Sequence, residues 1–537
     1  MVTGKEQDFW TDKIAKEIIT RKKFHYTEKK IPKFKKFVVK TSASISGVLH
    51  IGRLSDTIRG DAVFRSLKDA GVNAKLIWVA EDMDPLRKVP EGVPKNYMEF
   101  IGMPVTDIPD PTGCHKTYAE HHTTEYFKVI DSFVSTKMER FSMREEYNKG
   151  NFNPYIKKLL ENIEELKEIQ NKYRREKLTG SWSPWTPICD NCGKIITTKV
   201  LGFEKGKIHY KCEDYQFEKN TAKGCGHEGD NDPLKGNGKL LWKSEWGGQW
   251  ARWEVCSEGA GKEYQVPGSA FWINGEIAEK ILNFPMPVPI FYEHLIINGE
   301  KMSASLGNVV YPNEWLEVAP PELLRLLYLK DPMRVRDFRW ELVPNMMDEM
   351  DELSKVYYGM KKIQNKRDLA TMKRLFETIQ IKKVPIGYDS PISYNLFIEI
   401  AKILPEKNEL DFTVQKLMEY GHLKESGKKI NKVINERLEF AKTLLKKFMR
   451  EKEVVIRIGE KEKSMLKKLI VAIEEESDPE NMQKKVFEII KGSGIQVGEG
   501  FKLVYNIILN SDKGPRLGSY IIERGKEEVI AKLKAAL

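Results

Sequence analysis

No stretch of the 537-residue chain comes near the ~20 consecutive apolar residues that a membrane-crossing helix needs. The opening MVTGKEQDFW has no apolar core of the kind a secretory leader carries. Both absences lead to the expectation of a cytoplasmic protein that makes no use of a membrane. Cysteine is scarce, at six residues, which is too few in a chain of this length for a disulfide scaffold. Histidine numbers only nine, so any cluster of it carries weight. There is no internal repeat and no low-complexity tail.

What is present is a soluble, globular composition. Apolar residues make up 41% and mean hydropathy is -0.48, which excludes a disordered chain. The length exceeds one hydrophobic core and implies two to four domains. Net charge is +11, but charges of both signs abound, so a well-solvated surface accounts for the excess as readily as a polyanionic partner does.

Residues 1–36 read as an amphipathic helix followed by the basic run RKKFHYTEKKIPKFKK, which is either a solvated face or a polyanion contact. Residues 37–84 read as β-α-β. KFVVKT is a buried strand, and the following helix carries Leu54, Ile58, Ala62, Val63, Leu67 and Ala70 at helical spacing before Gly71 closes it. KLIWVAED is apolar as far as its acids, as a parallel strand covered on both faces should be. Residues 153–177 predict a charged helix, and helical patterns dominate from about Asn345, with NMMDEMDELSKVYYGMKKIQNKRDLATMKRLFETI as one long example. Asp478-Pro479, preceded by Ser477, is a good helix start, with a capping residue and then Pro at the first helical position.

The chemistry concentrates at two loops. In TSASISGVLHIGRLSD, glycines and a histidine crowd the junction of the first strand and its helix, where open α/β sheets bind ligands. Gly47 and Gly52 allow close backbone approach, and His50 can donate to a phosphate beside the partial positive charge of a helix N-terminus. The loop matches neither G-x-x-x-x-G-K-[ST] nor G-x-G-x-x-G, so it is a nucleotide site of another kind. The second loop, KMSAS, follows the strand EHLIIN. There Lys301 is a point charge suited to pyrophosphate, and Ser303 and Ser305 are small donors. Each loop alone also fits a bland glycine turn or a common Lys-Ser loop; the ordered pair, each after a strand, is far more specific.

A metal unit is readable as well. Cys189 and Cys192 form a C-x2-C knuckle, and KIITTKVLGF with KGKIHYKC reads as a β-hairpin around EKGK that returns Cys212 to the same end. Cys225 follows after a loop, completing a four-thiolate zinc site, with His227 as an alternative fourth ligand.

The HIGR and KMSAS pair resembles the HIGH and KMSKS signatures of class I aminoacyl-tRNA synthetases. The segments RKVPEGVP, GMPVTDIPDPTGCHKTYAEHH, GKEY, FYEHLIINGEKMSASLGNV and KGPRLGSYIIERGKEEVI resemble, more narrowly, the class I lysyl-tRNA synthetases over nearly the whole chain. Two positions depart from the signatures: Arg53 stands for the last histidine and Ala304 for a lysine.

The resemblance implies an α/β fold, with a Rossmann-like doubly wound parallel sheet at residues 37–310 and a zinc-bearing insertion at about 90–240. It also implies a stem-contact linker at 311–345 and an all-α anticodon-binding domain at 346–537, expected in a monomer. The implied reaction joins L-lysine to tRNA(Lys) with ATP and Mg2+ through lysyl-adenylate. In that reading His50 and Lys301 are catalytic, and Gly47, Gly52, Arg53, Met302, Ser303 and Ser305 bind ATP. The rivals are a class I synthetase for glutamate, a small-molecule nucleotidyltransferase and an inactive tRNA-binding paralogue.

A lysine pocket needs carboxylates for the ammonium and aromatic faces for its stem. The candidates are Asp82, Asp84, Glu263, Trp242, Trp246, Tyr264 and Tyr292, with Ser42 and Ser44 in places the family uses to hold lysine. Tyr264 stands where the family has histidine. Asp110, Cys114, His115 and His121 (or His122) form a second zinc candidate, or else a contact for the tRNA 3′ end.

Overall fold

The structure is a computed structural model that describes residues 9–45, 47–90, 93–178, 180–302, 308–387, 392–449, 458–509, 514 and 516–537. A five-stranded parallel sheet organises its first part: β1 (Phe37–Ser44), β2 (Ala74–Glu81), β3 (Glu139–Ser142), β4 (Val255–Gly261) and β5 (Val288–Tyr292), in the order β5-β4-β1-β2-β3. In β2, Leu76 to Ala80 are all buried, because both faces are covered. From β1 the chain builds outward to β2 and β3 and only later fills the other side with β4 and β5. The order therefore reverses between β1 and β4, and the crevice at their carboxyl ends is where such a sheet binds its ligand.

Helix α1 (Ile51–Asp69) leaves β1 at this crevice. Leu54, Ile58, Ala62, Val63 and Leu67 are fully buried as the spacing predicts, whereas Ala70 caps the helix in solvent and Gly71 takes the left-handed conformation (φ 78°) that ends it. Helix α2 (Trp242–Trp253) runs into β4 and carries three buried tryptophans, Trp246, Trp250 and Trp253.

The chain forms two compact units, Met1–Arg339 with Leu353–Ile386, and Trp340–Glu352 with Gly387–Leu537. This corrects three expected boundaries. Strand β3 falls within 90–240, so that stretch is not one insertion but two excursions, one on each side of an edge strand. The expected linker at 311–345 instead contributes helices Pro312–Val318 and Pro321–Leu329 to the first unit, and its strand Arg336–Phe338 pairs in parallel with Leu295–Ile297.

The segment Leu353–Ile386 also belongs to the first unit. Arg65 of α1 donates to the Thr378 and Glu377 carbonyls at 3.0 Å each, and Arg374 pairs with Asp12 at 2.8 Å and Asp69 at 2.7 Å. The single long helix expected there is two, Val343–Tyr357 and Lys366–Ile379, because Gly359 adopts φ 76° between them. The charged helix expected at 153–177 likewise divides, into Asn153–Glu161 and Ile163–Asn171.

The basic run after the first helix (Trp10–Thr20) is anchored to the first unit. Backbone amides of His25 and Tyr26 donate to the Glu279 carboxylate at 2.7 and 2.5 Å.

The second unit is helical. Met465, Leu469, Ile473, Val486, Ile490, Val504, Ile508 and Leu533 share one of its cores, and Arg437 grips Asp351 with two bonds of 2.5 and 2.8 Å. Helix Pro479–Lys491 starts as predicted: Asp478 caps it by accepting from the Asn481 amide at 2.8 Å.

Candidate active site

A cavity of about 510 Å3 opens at the carboxyl ends of β1, β2, β4 and β5. Of the predicted site residues, Ser42, Ser44, His50, Gly52, Arg53, Asp84, Trp242, Trp246, Glu263, Tyr264, Tyr292, Lys301 and Met302 line it. The two motifs, some 250 positions apart, thus share one crevice. Ser303 and Ser305 lie outside the described residues.

His50 is the N-cap of α1, and its Nδ1 accepts from the Gly52 amide at 3.2 Å. That bond leaves the proton on Nε2, so the ring is a donor. Burial, helped by Arg53, lowers its pKa to about 4, so at neutral pH the donor is uncharged.

Gly52 lines the cavity, and a Cβ there would lie 2.6 Å from the Met302 methyl and 2.9 Å from the His50 ring, so its missing side chain makes room for these two residues. Gly47 is not in the cavity wall; its missing Cβ faces the Tyr118 hydroxyl at 3.6 Å.

The acids at the end of β2 divide by strand alternation. Glu81 lines the cavity, whereas Asp82 does not: its carboxylate accepts from the Arg144 amide at 3.0 Å, at the start of helix Met143–Asn148. Burial raises the Asp82 pKa to about 6. Asp82 therefore caps a helix and is corrected as a lysine ligand. Asp84 does face the cavity, held by Ser44 Oγ at 2.8 Å and Lys239 Nζ at 3.1 Å. Burial works against its charge, but Lys239 and Ser44 hold its pKa below the usual value.

The aromatic wall is built on α2. Trp242 and Trp246 stack at 4.7 Å, and Tyr264 meets Trp246 edge-on at 5.2 Å. Arg59 lies 4.4 Å from the Tyr292 ring centre on the other side, and Glu263 pairs with His294 Nε2 at 3.0 Å.

Sequence reasoning missed the buried floor. Lys40 bonds Glu258 Oε1 at 2.6 Å and lies 3.6 Å from Glu81, and Trp250 Nε1 donates to Glu258 Oε2 at 2.6 Å. Asp56 lines the cavity with one oxygen bonded to the Ser42 amide at 3.2 Å and the other without a hydrogen-bond partner among the described residues. Burial lifts Asp56 to about 7 and Glu81 to about 8. Asp56 sits less than one helical turn beyond the histidine motif, within a run whose helical spacing points to apolar neighbours. The only available signal was a carboxylate on a helix buried all round.

Both metal candidates converge. Cys189, Cys192, Cys212 and Cys225 bring their sulfurs within 4.8 Å of one another, with Cys189–Cys225 and Cys192–Cys212 at 3.6 Å. That matches the ~3.8 Å edge of a tetrahedron with zinc–sulfur bonds of ~2.3 Å. The predicted hairpin is present, Thr198–Glu204 against Lys207–Cys212, turning at Lys205-Gly206. Cys225, not His227, completes the four.

In the second cluster Asp110, Cys114, His115 and His121 come together, with Cys114 Sγ 3.0 Å from His115 Nδ1 and 3.2 Å from His121 Nδ1. Burial opposes the charge on Asp110, but the Thr112 and His115 amides hold its pKa well down, as a metal-ligating carboxylate requires. His122 turns away, edge-on to Tyr118.

A parallel sheet whose switch point presents a neutral imidazole donor, a lysine and an acidic pocket walled by aromatic rings has the arrangement of a nucleotide-binding α/β enzyme. Residues 8–382 match the family model of the class I tRNA synthetases (K), and the chain belongs to that family. It is 29% identical to a lysine–tRNA ligase of Methanosphaera stadtmanae over 98% of this chain and 99% of the relative. It is 30% identical to those of Methanocaldococcus jannaschii (97% and 99%) and Methanococcus maripaludis (92% and 96%). Among solved structures, a glutamate-tRNA synthetase from Elizabethkingia anophelis covers 93% of this chain and 99% of its own at 14% identity, with a TM-score of 0.37.

Proposed function

We propose that this chain is a lysine–tRNA ligase of class I, joining L-lysine to tRNA(Lys) at the expense of ATP. Membership of the family and full-length likeness to lysine–tRNA ligases support the reaction. The observation that carries the site is that His50 and Lys301 line one cavity with Met302 packed on Gly52.

In this reading the lysine carboxylate attacks the α-phosphate of Mg2+-bound ATP, giving lysyl-adenylate and pyrophosphate. The terminal ribose hydroxyl of the tRNA then takes the lysyl group. No covalent enzyme intermediate is needed, so catalysis is positioning plus stabilisation of charge on phosphate oxygens. His50 Nε2–H donates to the α-phosphate, while Lys301 and Arg53 hold the leaving pyrophosphate, with Ser303 and Ser305 supplying the rest of that loop. Met302 against Gly52 keeps the loop close. Trp242, Trp246, Tyr264 and Tyr292 enclose the lysine stem, and Ser42, Ser44, Asp84 and Glu263 supply polar contacts.

The lining favours a cation over glutamate. Asp56, Glu81, Asp84, Glu258 and Glu263 line the cavity, against the cations Arg53, Arg87 and Lys301. Zinc held by the four cysteines, and by Asp110, Cys114, His115 and His121, would stiffen the two excursions from the sheet. No helix among the described residues is long and apolar enough to cross a membrane. The helical second unit is assigned to the anticodon, and the enzyme is placed in the cytoplasm as a monomer.

ATP–pyrophosphate exchange with each of the twenty amino acids, run with tRNA present, tests the proposal. Exchange with glutamate and not lysine ends it.

A further inference from the structure

We infer that Glu81 is the seat of the substrate's ε-ammonium, and so the residue that separates lysine from amino acids of similar length. The inference rests on the lysine reading above.

Glu81 lies at the carboxyl end of β2, lines the cavity, and its side chain is only 8% exposed. One oxygen, Oε2, accepts from Gln249 Nε2 at 3.0 Å, which fixes the carboxylate. The other, Oε1, has no hydrogen-bond partner among the described residues. Lys40 lies 3.6 Å from it, but the Lys40 ammonium is already bonded to Glu258 at 2.6 Å. A buried carboxylate oxygen without a bond is costly, and a cation delivered from the cavity would remove that cost.

The surrounding charge points the same way. Lys40 and Lys239 are the cations that act on Glu81; Lys239 is taken by Asp84 at 3.1 Å and Glu245 at 3.2 Å. With Glu258 on Lys40, Glu81 is the acid left over. Its pKa is raised by burial.

The approach to Glu81 suits an alkyl chain. Gln249 is on α2 three residues after Trp246, hence on the same face, and Trp242 precedes Trp246 by four and stacks on it. A stem lying along these indoles would deliver its far end to Glu81. The α-ammonium is tied to the reacting carboxylate, which in this reading is held beside His50 at the start of α1, and that leaves the ε-ammonium for the end of β2. Asp56 is the other cavity acid with an unbonded oxygen, but it lies on α1 with the Arg59 guanidinium one turn on as its neighbouring cation.

The test is aminoacylation of tRNA(Lys) by the whole chain, with norleucine, which keeps the stem and lacks the ε-amino group, as competitor. Glu81→Gln is expected to raise the KM for lysine tenfold or more, with the KM for ATP and the Ki of norleucine changed less than twofold. An unchanged KM for lysine, or equal weakening of lysine and norleucine, overturns the inference. Failure of the unaltered chain to charge lysine at all would instead sink the lysine reading. Should the variant not fold, a crystal structure of the unaltered chain with lysine decides: Nζ within hydrogen-bond distance of Glu81 supports the assignment, and Nζ on another carboxylate overturns it.

Discussion

The Met302 methyl lies 2.6 Å from where a Cβ on Gly52 would sit, so the loop bearing Lys301 rests directly on the first turn of the helix that His50 caps. A methyl group on Gly52 must push either Met302 or the His50 ring, which is 2.9 Å away. Gly52→Ala should therefore lower pyrophosphate exchange at least tenfold. Met302→Ala in the same chain should recover part of the loss, since it empties one of the two clashing volumes. A double-mutant cycle measures the coupling, which for residues in contact runs about 0.5–3 kcal/mol. Strict additivity would mean that the two motifs do not touch.

His50 is held neutral, with a pKa of about 4. Its contribution is a hydrogen bond from Nε2–H, and that donor persists unchanged from pH 8 down to about pH 5. The exchange rate should therefore show no inflection near the ordinary histidine value of ~6.5. His50→Ala should cost about 10²–10³ in rate, the usual loss for one preorganised donor at a developing oxyanion. A limb near 6.5 that vanishes in the variant would show that a charged imidazole is used instead.

Much of this site was legible because it is local. The histidine turn, the Lys301 loop and the cysteine hairpin each occupy a short run whose residue types have few other uses, and the β-α-β pattern put the first of them at a strand end. What escaped is non-local. Glu258 reads as part of an apolar strand, and only the pairing of β4 beside β1 brings it to Lys40. Asp82 and Glu81 are neighbours in sequence, and nothing but the pleat decides which enters the cavity. The extent of each unit escaped too, since Gly359 interrupts a helical pattern that looks continuous, and the chain returns to the first unit from Leu353 to Ile386.

Asp56 titrates at about 7 because of burial, well above the ~3.9 of an unfolded chain. Between those values the folded form keeps a proton that the unfolded form has lost. Stability from this group is therefore present below pH 4 and lost as pH rises through 7. Asp56→Asn removes the titration and keeps an acceptor for the Ser42 amide. In the absence of substrate the variant should melt at a higher temperature than the parent at pH 8, and the gap should close towards pH 5. Thermal melts across that range check it; a gap independent of pH contradicts the raised pKa.

Arg325 and Asp61 form a fully buried ion pair at 2.6 Å, and Arg325 also donates to the Phe133 and Thr378 carbonyls at 2.9 and 2.8 Å. Asp61 in turn accepts from the Ser135 amide at 2.9 Å, so it stays in place when its partner is removed. Arg325→Met leaves that carboxylate buried without its ion-pair partner. The expected cost is about 3–5 kcal/mol, read as a shift of the urea midpoint without change of slope. A shift under 1 kcal/mol would mean that water reaches Asp61.

The four-cysteine cluster sits where a hairpin, a knuckle and a loop meet, and beyond the sulfurs its core is small: Tyr210 with Cys189 and Cys212, flanked by Cys192. Ile188, Ile195 and Ile208 of the same segments are buried in the main core, so metal binding should order the sulfur-bearing end rather than the whole hairpin. Metal analysis of the purified chain should find zinc, and Cys212→Ser should lower the content by one ion per chain. The cavity lies on the sheet rather than on this hairpin, so lysine activation should fall less than transfer to tRNA. Limited proteolysis should open the Thr198–Cys212 hairpin of the variant first. An unaltered zinc content and digestion pattern in Cys212→Ser would show that the thiols converge for packing alone.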